Sequence, residues 1–199
     1  MKLLGVSGGP KHSSKTQLVV KGVLDYALTH DSSTEVEVIN VSDLEVQFCD
    51  ARNPSDYEGD SKLLINKIID ADALVFGSPI YRGTYTGILK NVFDLIPNEA
   101  MIGKPVGLVA TGGSDHHYLA LEHELKPILG FFLAIVVPGT IYANNNDFSE
   151  GEIISEELKT RMSELGASIV NLHNLLSNSR QSVVGAFGPT IQRKSLMDK

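Results

Sequence analysis

Two stretches of this 199-residue chain carry residue types that could hold a flat, phosphorylated ligand. The first runs from Ser7 to Thr16. Ser7, Ser13, Ser14 and Thr16 offer hydroxyl donors, Lys11 and Lys15 offer charge, and the amides ahead of Thr16 open a helix. A helix N-terminus has unpaired N–H groups and roughly half a positive charge, so a phosphate is well received there. The Ser-Lys-Thr ending lacks the GxxxxGK(S/T) spacing of a Walker A loop, since no glycine precedes Lys15, and it is not GxGxxG either. Magnesium-dependent nucleotide hydrolysis therefore loses its main support. Taken alone, the stretch is also what a capped helix after a flexible turn looks like.

The second stretch is GSPIYRGTYTGILKNVFDLIP, residues 77–97. Here Ser78, Pro79, Ile80 and Tyr81 can run their backbone along the edge of a ring system, with the Tyr81 ring as a wall. Gly83 and Gly87 permit close approach, Arg82 adds a cation, and Lys90 and Asp94 lie one turn apart as a helix-face pair. Thr111, Gly112, Gly113 and Ser114 offer a third set of amides, or a plain helix entry capped by Ser114.

These loops need strands before them and helices behind them. Lys2–Val6 reads as a short strand, and Leu18, Val19, Val23, Leu24, Ala27 and Leu28 predict a helix over 16–30. Residues 35–41 alternate as a half-exposed strand does, and 42–59 read as irregular. Further helices are expected over 61–71, over 86–96 (stopped by Pro97), from the 111–114 loop to about Leu129, and over 155–176. Buried strands are expected over 73–77 and 105–110, with a fifth from 134–137 and 140–142. Five strands alternating with five helices imply an α/β fold with a parallel sheet covered on both faces. Ligands of such sheets sit beyond the C-terminal strand ends. The three loops, which follow strands one, three and four, converge there. Residues 1–177 form the expected domain; 178–199 form a basic tail, either loose or laid on a neighbouring subunit.

Seventeen basic against 24 acidic residues give a net charge of −7, which disfavours nucleic acid and anionic membranes as partners. A single cysteine, Cys49, excludes an internal disulfide framework and fits a reducing cytoplasm. No apolar run is long enough for a membrane helix. His116, His117 and His123 come without an HExxH motif or paired cysteines, so no metal site is expected. Glu150, Glu152, Glu156 and Glu157 read as a solvated helix entry.

The series Ser7…Ser14-x-Thr16, then GSPIYRGTYTGILKNVFDLIP, then ATGGSDHHYLALEHELKPIL resembles the NADPH-dependent FMN reductase family of flavodoxin-like proteins. Within it, the chain is most similar to the reductases that feed two-component sulfonate monooxygenases. The likeness covers about residues 1–175 in order. It implies a three-layer sandwich whose five-stranded sheet has the order 2-1-3-4-5, with FMN and NADPH (or NADH) as cofactors. Ser7, Ser14, Lys15 and Thr16, with Ser13 beside them, match the family's FMN-phosphate loop. Pro79, Ile80, Tyr81, Arg82 and Gly83 match the loop along the isoalloxazine ring, and Thr111, Gly112, Gly113 and Ser114 the loop at its other edge. The family's loop arginine is Lys11 here, a point charge in place of a bidentate fork. The resemblance also implies a homodimer or homotetramer with neighbouring chains at the flavin edge, and a distorted helical turn at a subunit contact near His123. A flavin-dependent monooxygenase is the macromolecular partner it implies.

Two functions are compatible with such a site. One is an enzyme in which reduced nicotinamide passes a hydride to FMN, needing no side-chain acid or base. The other is a flavodoxin-type carrier of single electrons. The ring loop 78–86 has no acidic residue and includes Arg82, and the chain has no tryptophan to bracket a ring. Both features favour the enzyme.

Overall fold

The computed structural model describes residues 1–10 and 14–177. Lys11, Ser13 and the 178–199 tail lie outside the described residues. In chain order the main elements are β1 (Lys2–Ser7), α1 (Lys15–His30), β2 (Glu35–Asn40), α2 (Gly59–Asp70), β3 (Ala73–Pro79), α3 (Gly87–Leu95) and β4 (Pro105–Thr111). There follow α4 (Lys126–Phe131), β5 (Ile135–Val136), β6 (Ile141–Ala143), β7 (Phe148–Ser149), β8 (Glu152–Ile153) and α5 (Glu156–Ser177).

Alternation along the strands divides the interior into two layers, because successive side chains of a strand point to opposite faces. Leu3, Ala73, Val75 and Val109 face Val19, Val23 and Leu24 of α1 and Leu165 and Ile169 of α5. Leu4, Val6, Leu74, Phe76 and Leu108 face the other way, onto Leu64 and Ile68 of α2 and Leu89, Val92 and Phe93 of α3. Both faces of the sheet are thus covered, which is why its central strands read as continuous apolar runs. The strand order is β2-β1-β3-β4-β5, all parallel, which makes the molecule a flavodoxin-like sandwich. The fifth strand is in two pieces: β5 pairs with the start of β4 and β6 with its end.

Two segments differ from expectation. The helix expected between 115 and 129 is a 3-10 turn at Asp115–His117, a π turn at Leu121–Leu125, and only then α4. Pro127 supplies the reason. It has no N–H to give the His123 carbonyl, and its ring crowds that carbonyl. Opening the preceding turn, so that the Lys126 amide bonds Leu121 O, relieves the conflict. Glu150 and Glu152 do not belong to a helix entry either. They sit in the small antiparallel hairpin β7–β8, whose turn residues Glu150 and Gly151 both have positive φ. Glu156 and Glu157 do stand in the first turn of α5.

Candidate functional site

β1, β3 and β4 end side by side, and hydrogen bonds continue past their last residues to join the loops that follow. Gly8 N donates to Gly77 O at 2.8 Å, Ile80 N to Thr111 O at 2.8 Å, and Gly112 N to Ala143 O at 3.0 Å. Three buried threonines complete the joint. Thr16 Oγ1 lies 2.7 Å from Thr111 Oγ1, tying the first turn of α1 to the end of β4. The Thr86 hydroxyl donates to Gly8 O at 2.7 Å and accepts from Leu89 N, while Thr86 N donates to Ser78 Oγ. One side chain therefore caps α3 and pins the first loop to the second.

In the first loop, Ser14 is the N-cap of α1 and accepts from Gln17 N at 3.2 Å. The amides of Lys15 and Thr16 have no acceptor within the helix, as at any helix start. The Lys15 ammonium is directed along the sheet edge, donating to Asn145 Oδ1 at 2.8 Å and lying 5.0 Å from the centre of the Phe148 ring. Thr16 is buried, so its hydroxyl serves the joint with Thr111.

The second loop is a tight hairpin. Tyr81 and Thr84 exchange backbone hydrogen bonds, and the two residues between them, Arg82 and Gly83, have φ of 56° and 88°. Glycine takes that conformation freely, whereas an arginine there is uncommon. Ile80 is buried below the hairpin, and Tyr81 stands above it, 53 % exposed. Thr84 Oγ1 donates to Glu124 Oε2 at 3.1 Å, which fastens the hairpin to the π turn.

The third loop lies under an aromatic ring. A Cβ on Gly112 would sit 2.0 Å from the Tyr142 hydroxyl, so only glycine fits. Tyr142 Oη donates to Ser114 O, and Asn144 Nδ2 to Asp115 Oδ1. Burial, with the Asp115 charge nearby, raises the Tyr142 pKa above the usual tyrosine value and keeps it a donor. Ser114 makes no cap bond; its Oγ meets His116 Nδ1 at 3.1 Å.

Ser7, Ser14, Thr16, residues 79–83 and residues 111–114 are thus gathered at one sheet edge. Thr86 and Tyr142 were not singled out as site residues. A threonine just before an apolar helix is a readable cap signal. Its bond to Gly8 is not readable, because the two residues are far apart in sequence.

The family model for NADPH-dependent FMN reductases matches residues 1–149. The chain belongs to the NADPH-dependent FMN reductase family. It is 40% identical over 174 residues to an NAD(P)H-dependent FAD/FMN reductase of Geobacillus thermodenitrificans, covering 87% of this chain and 94% of the relative. It is 38% identical over 161 residues to an FMN reductase (NADPH) of Pseudomonas aeruginosa, covering 81% and 86% respectively. Among solved structures, the apo form of the NADH:FMN oxidoreductase EMOB superposes with a TM-score of 0.73 at 28% identity, covering 91% of this chain and 92% of that one.

The residues present fit the FMN of this reductase family. Ser7 Oγ is buried at the end of β1, at the mouth of the first loop, with no hydrogen-bond partner among the described residues. No carboxylate lies between Ser7 and Thr16, so nothing there opposes a phosphate dianion.

Proposed function

We propose that this chain oxidises NADPH or NADH and delivers the electrons to FMN, with its three joined loops as the FMN site. Bound there, FMN supplies the chemistry by accepting a hydride from the reduced nicotinamide. The protein's part is position and electrostatics. Ser7, Ser13, Ser14 and the amides of Lys15 and Thr16 hold the phosphate. Pro79, Ile80, Tyr81, Arg82 and Gly83 line the ring, and Thr111, Gly112, Gly113 and Ser114 close its other edge. Thr16 acts through Thr111, and Lys15 through the segment around Asn145.

The observation that carries this reading is the buried Ser7 hydroxyl, without a partner among the described residues, where three stitched, Gly-containing loops converge. The exposed face of Tyr81 leaves room for a second planar ring. The acid-free hairpin with Arg82 favours negative charge on a reduced flavin.

Reduced flavin then leaves for a flavin-dependent monooxygenase or passes electrons to a small acceptor, in the cytoplasm. The chain works as a homodimer or homotetramer. Tyr118, Leu119 and Phe131 are exposed apolar groups around the π turn, and His123 lies among them as an interface residue. The test is oxidation of NADPH and NADH by the purified protein, with and without added FMN, beside its visible spectrum. Turnover that depends on FMN and needs no partner reductase supports the reading. Reduction only through a separate reductase would make it a carrier.

A further inference from the structure

Residues 44–50 follow β2 and pair with no strand among the described residues. Side chains from distant elements hold their backbone instead. Glu45 N donates to Asp60 Oδ2 at 2.8 Å, Gln47 N to Ser61 Oγ at 2.8 Å, and Cys49 N to Asn91 Oδ1 at 2.9 Å. Asn91 Nδ2 returns a bond to Gln47 O at 2.9 Å. With alternate amides fixed, the intervening side chains Leu44, Val46 and Phe48 share one side, as in any extended chain. Together with Pro10, Tyr81 and Ile88 they line a groove of about 460 Å³. Phe48 stands at its rim, 84 % exposed. Phe48 is not an isolated exposed ring: with Leu44, Val46, Tyr81 and Ile88 it makes a contiguous apolar patch, the kind of surface that marks a binding site.

We propose that this groove receives the adenine end of the nicotinamide nucleotide, with the base stacked on Phe48 and the diphosphate passing the Arg82 side of the hairpin. The proposal rests on the reductase reading and adds where the half of the cosubstrate remote from the reaction lies. A nicotinamide ring brought against Tyr81 leaves an adenosine diphosphate unit that must continue over adjoining surface. A second groove also adjoins the ring loops. This one, of about 470 Å³ beside the third loop, is lined by Asp115, Glu122, Asp147 and Glu157. Its Arg161 is already paired with Glu157. Four carboxylates repel a dinucleotide's phosphates. None of the residues lining the Phe48 groove is acidic. Its volume falls in the range of small-ligand sites, and its aromatic rim suits a purine. Arg82, the residue after Tyr81, holds a left-handed backbone at the hairpin tip. A strained backbone persists where function holds it, and a cation there suits a phosphate.

The chain has no tryptophan, so Phe48→Trp places a single emitter at the groove. ADP is the probe, and Phe48→Ala and Phe48→Tyr complete the set. The expected result is a saturable change of Trp emission with ADP, and competition of ADP against NADPH but not against FMN in the unmodified protein. Phe48→Ala should raise KM for both nucleotides roughly tenfold, the usual scale for a lost base–aromatic stack, and Phe48→Tyr should restore it. KM for FMN should hold throughout. Unchanged nucleotide KM in Phe48→Ala would overturn the proposal. So would Trp emission that depends on protein concentration and ignores ADP, the signature of a second copy covering the ring. If the unmodified protein oxidises neither nucleotide in the presence of FMN, the reductase reading fails, and the ADP titration still decides the groove.

Discussion

Thr16 and Thr111 spend their hydroxyls on each other, 2.7 Å apart and out of reach of water. Thr16→Val would strand the Thr111 hydroxyl and should cost about 1–3 kcal/mol, the desolvation penalty of an unpaired buried group. Thr16→Val with Thr111→Val should cost less than the two single changes added together, measurable from denaturant midpoints. Strict additivity would mean the bond contributes nothing. Ser14→Ala removes the cap of α1, worth about 1 kcal/mol, and should also weaken FMN binding in a fluorescence titration. Arg82 makes the opposite case. Its φ of 56° costs an L-residue roughly 1–2 kcal/mol, so Arg82→Gly should raise the melting temperature while raising KM for NADPH. A fall in both would show that the arginine stabilises its own hairpin. At this scale the sequence showed which residues could donate and which were cationic. It did not show that the hydroxyl of Thr16 and the charge of Lys15 would be taken by Thr111 and Asn145, since those partners lie far away in sequence, at the end of β4 and in the turn after β6.

The elements position these groups through a few long-range ties. Glu124, within the π turn, accepts from the Thr84 hydroxyl and so ties that turn to the hairpin. Glu124→Ala should loosen the 81–84 hairpin and weaken FMN binding several-fold, by the roughly 0.5–1.5 kcal/mol of one hydrogen bond, with little change in unfolding midpoint. Equal affinity in the variant would show that the hairpin holds itself. The extended segment has its own anchor. Tyr57 is buried, its hydroxyl donates to Asp50 Oδ1 at 3.0 Å and accepts from Asp50 N at 3.1 Å, and Arg52 lies over its ring. Burial pushes the Tyr57 pKa up to about 12, with Asp50 and Cys49 contributing. The folded state thus holds that proton more tightly than the unfolded chain. The stability this represents is complete below about pH 10 and is lost as pH rises toward 12. Tyr57→Phe should flatten the alkaline limb of a stability–pH curve over that window; an unchanged limb would place the titration elsewhere. Periodicity located β1 to β4, α1 to α3 and α5 to within a few residues. The broken helix escaped it because Leu121, Leu125 and Leu129 keep helical spacing straight through the π turn, and only Pro127 signals the distortion. Residues 44–50 read as irregular because their order comes from Asp60, Ser61 and Asn91, not from a neighbouring strand.

For the molecule as a whole, the alternation of apolar runs with amphipathic segments was enough to name the architecture. Crossover connections between parallel strands leave few alternatives once that alternation is seen. The ligand edge followed from the same logic. Light scattering at micromolar concentration should return two or four times the chain mass, and His123→Glu should reduce it; a monomer would leave the apolar surface around the π turn for another partner. The two rims of the sheet show what keeps a second chain from adding to it. β2 ends one side with Glu35 and Glu37, and Glu37 pairs with Lys67, so a second chain approaching that rim meets charge. The other rim is interrupted. Between β5 and β6 the chain passes through Pro138 and Gly139, and neither piece exceeds three residues. At this rim, among the described residues, no uninterrupted row of amides and carbonyls remains for a foreign strand to copy. Joining the pieces by deleting Pro138 and Gly139 would present such a template, and the variant should form fibres at a concentration where the parent chain remains dispersed.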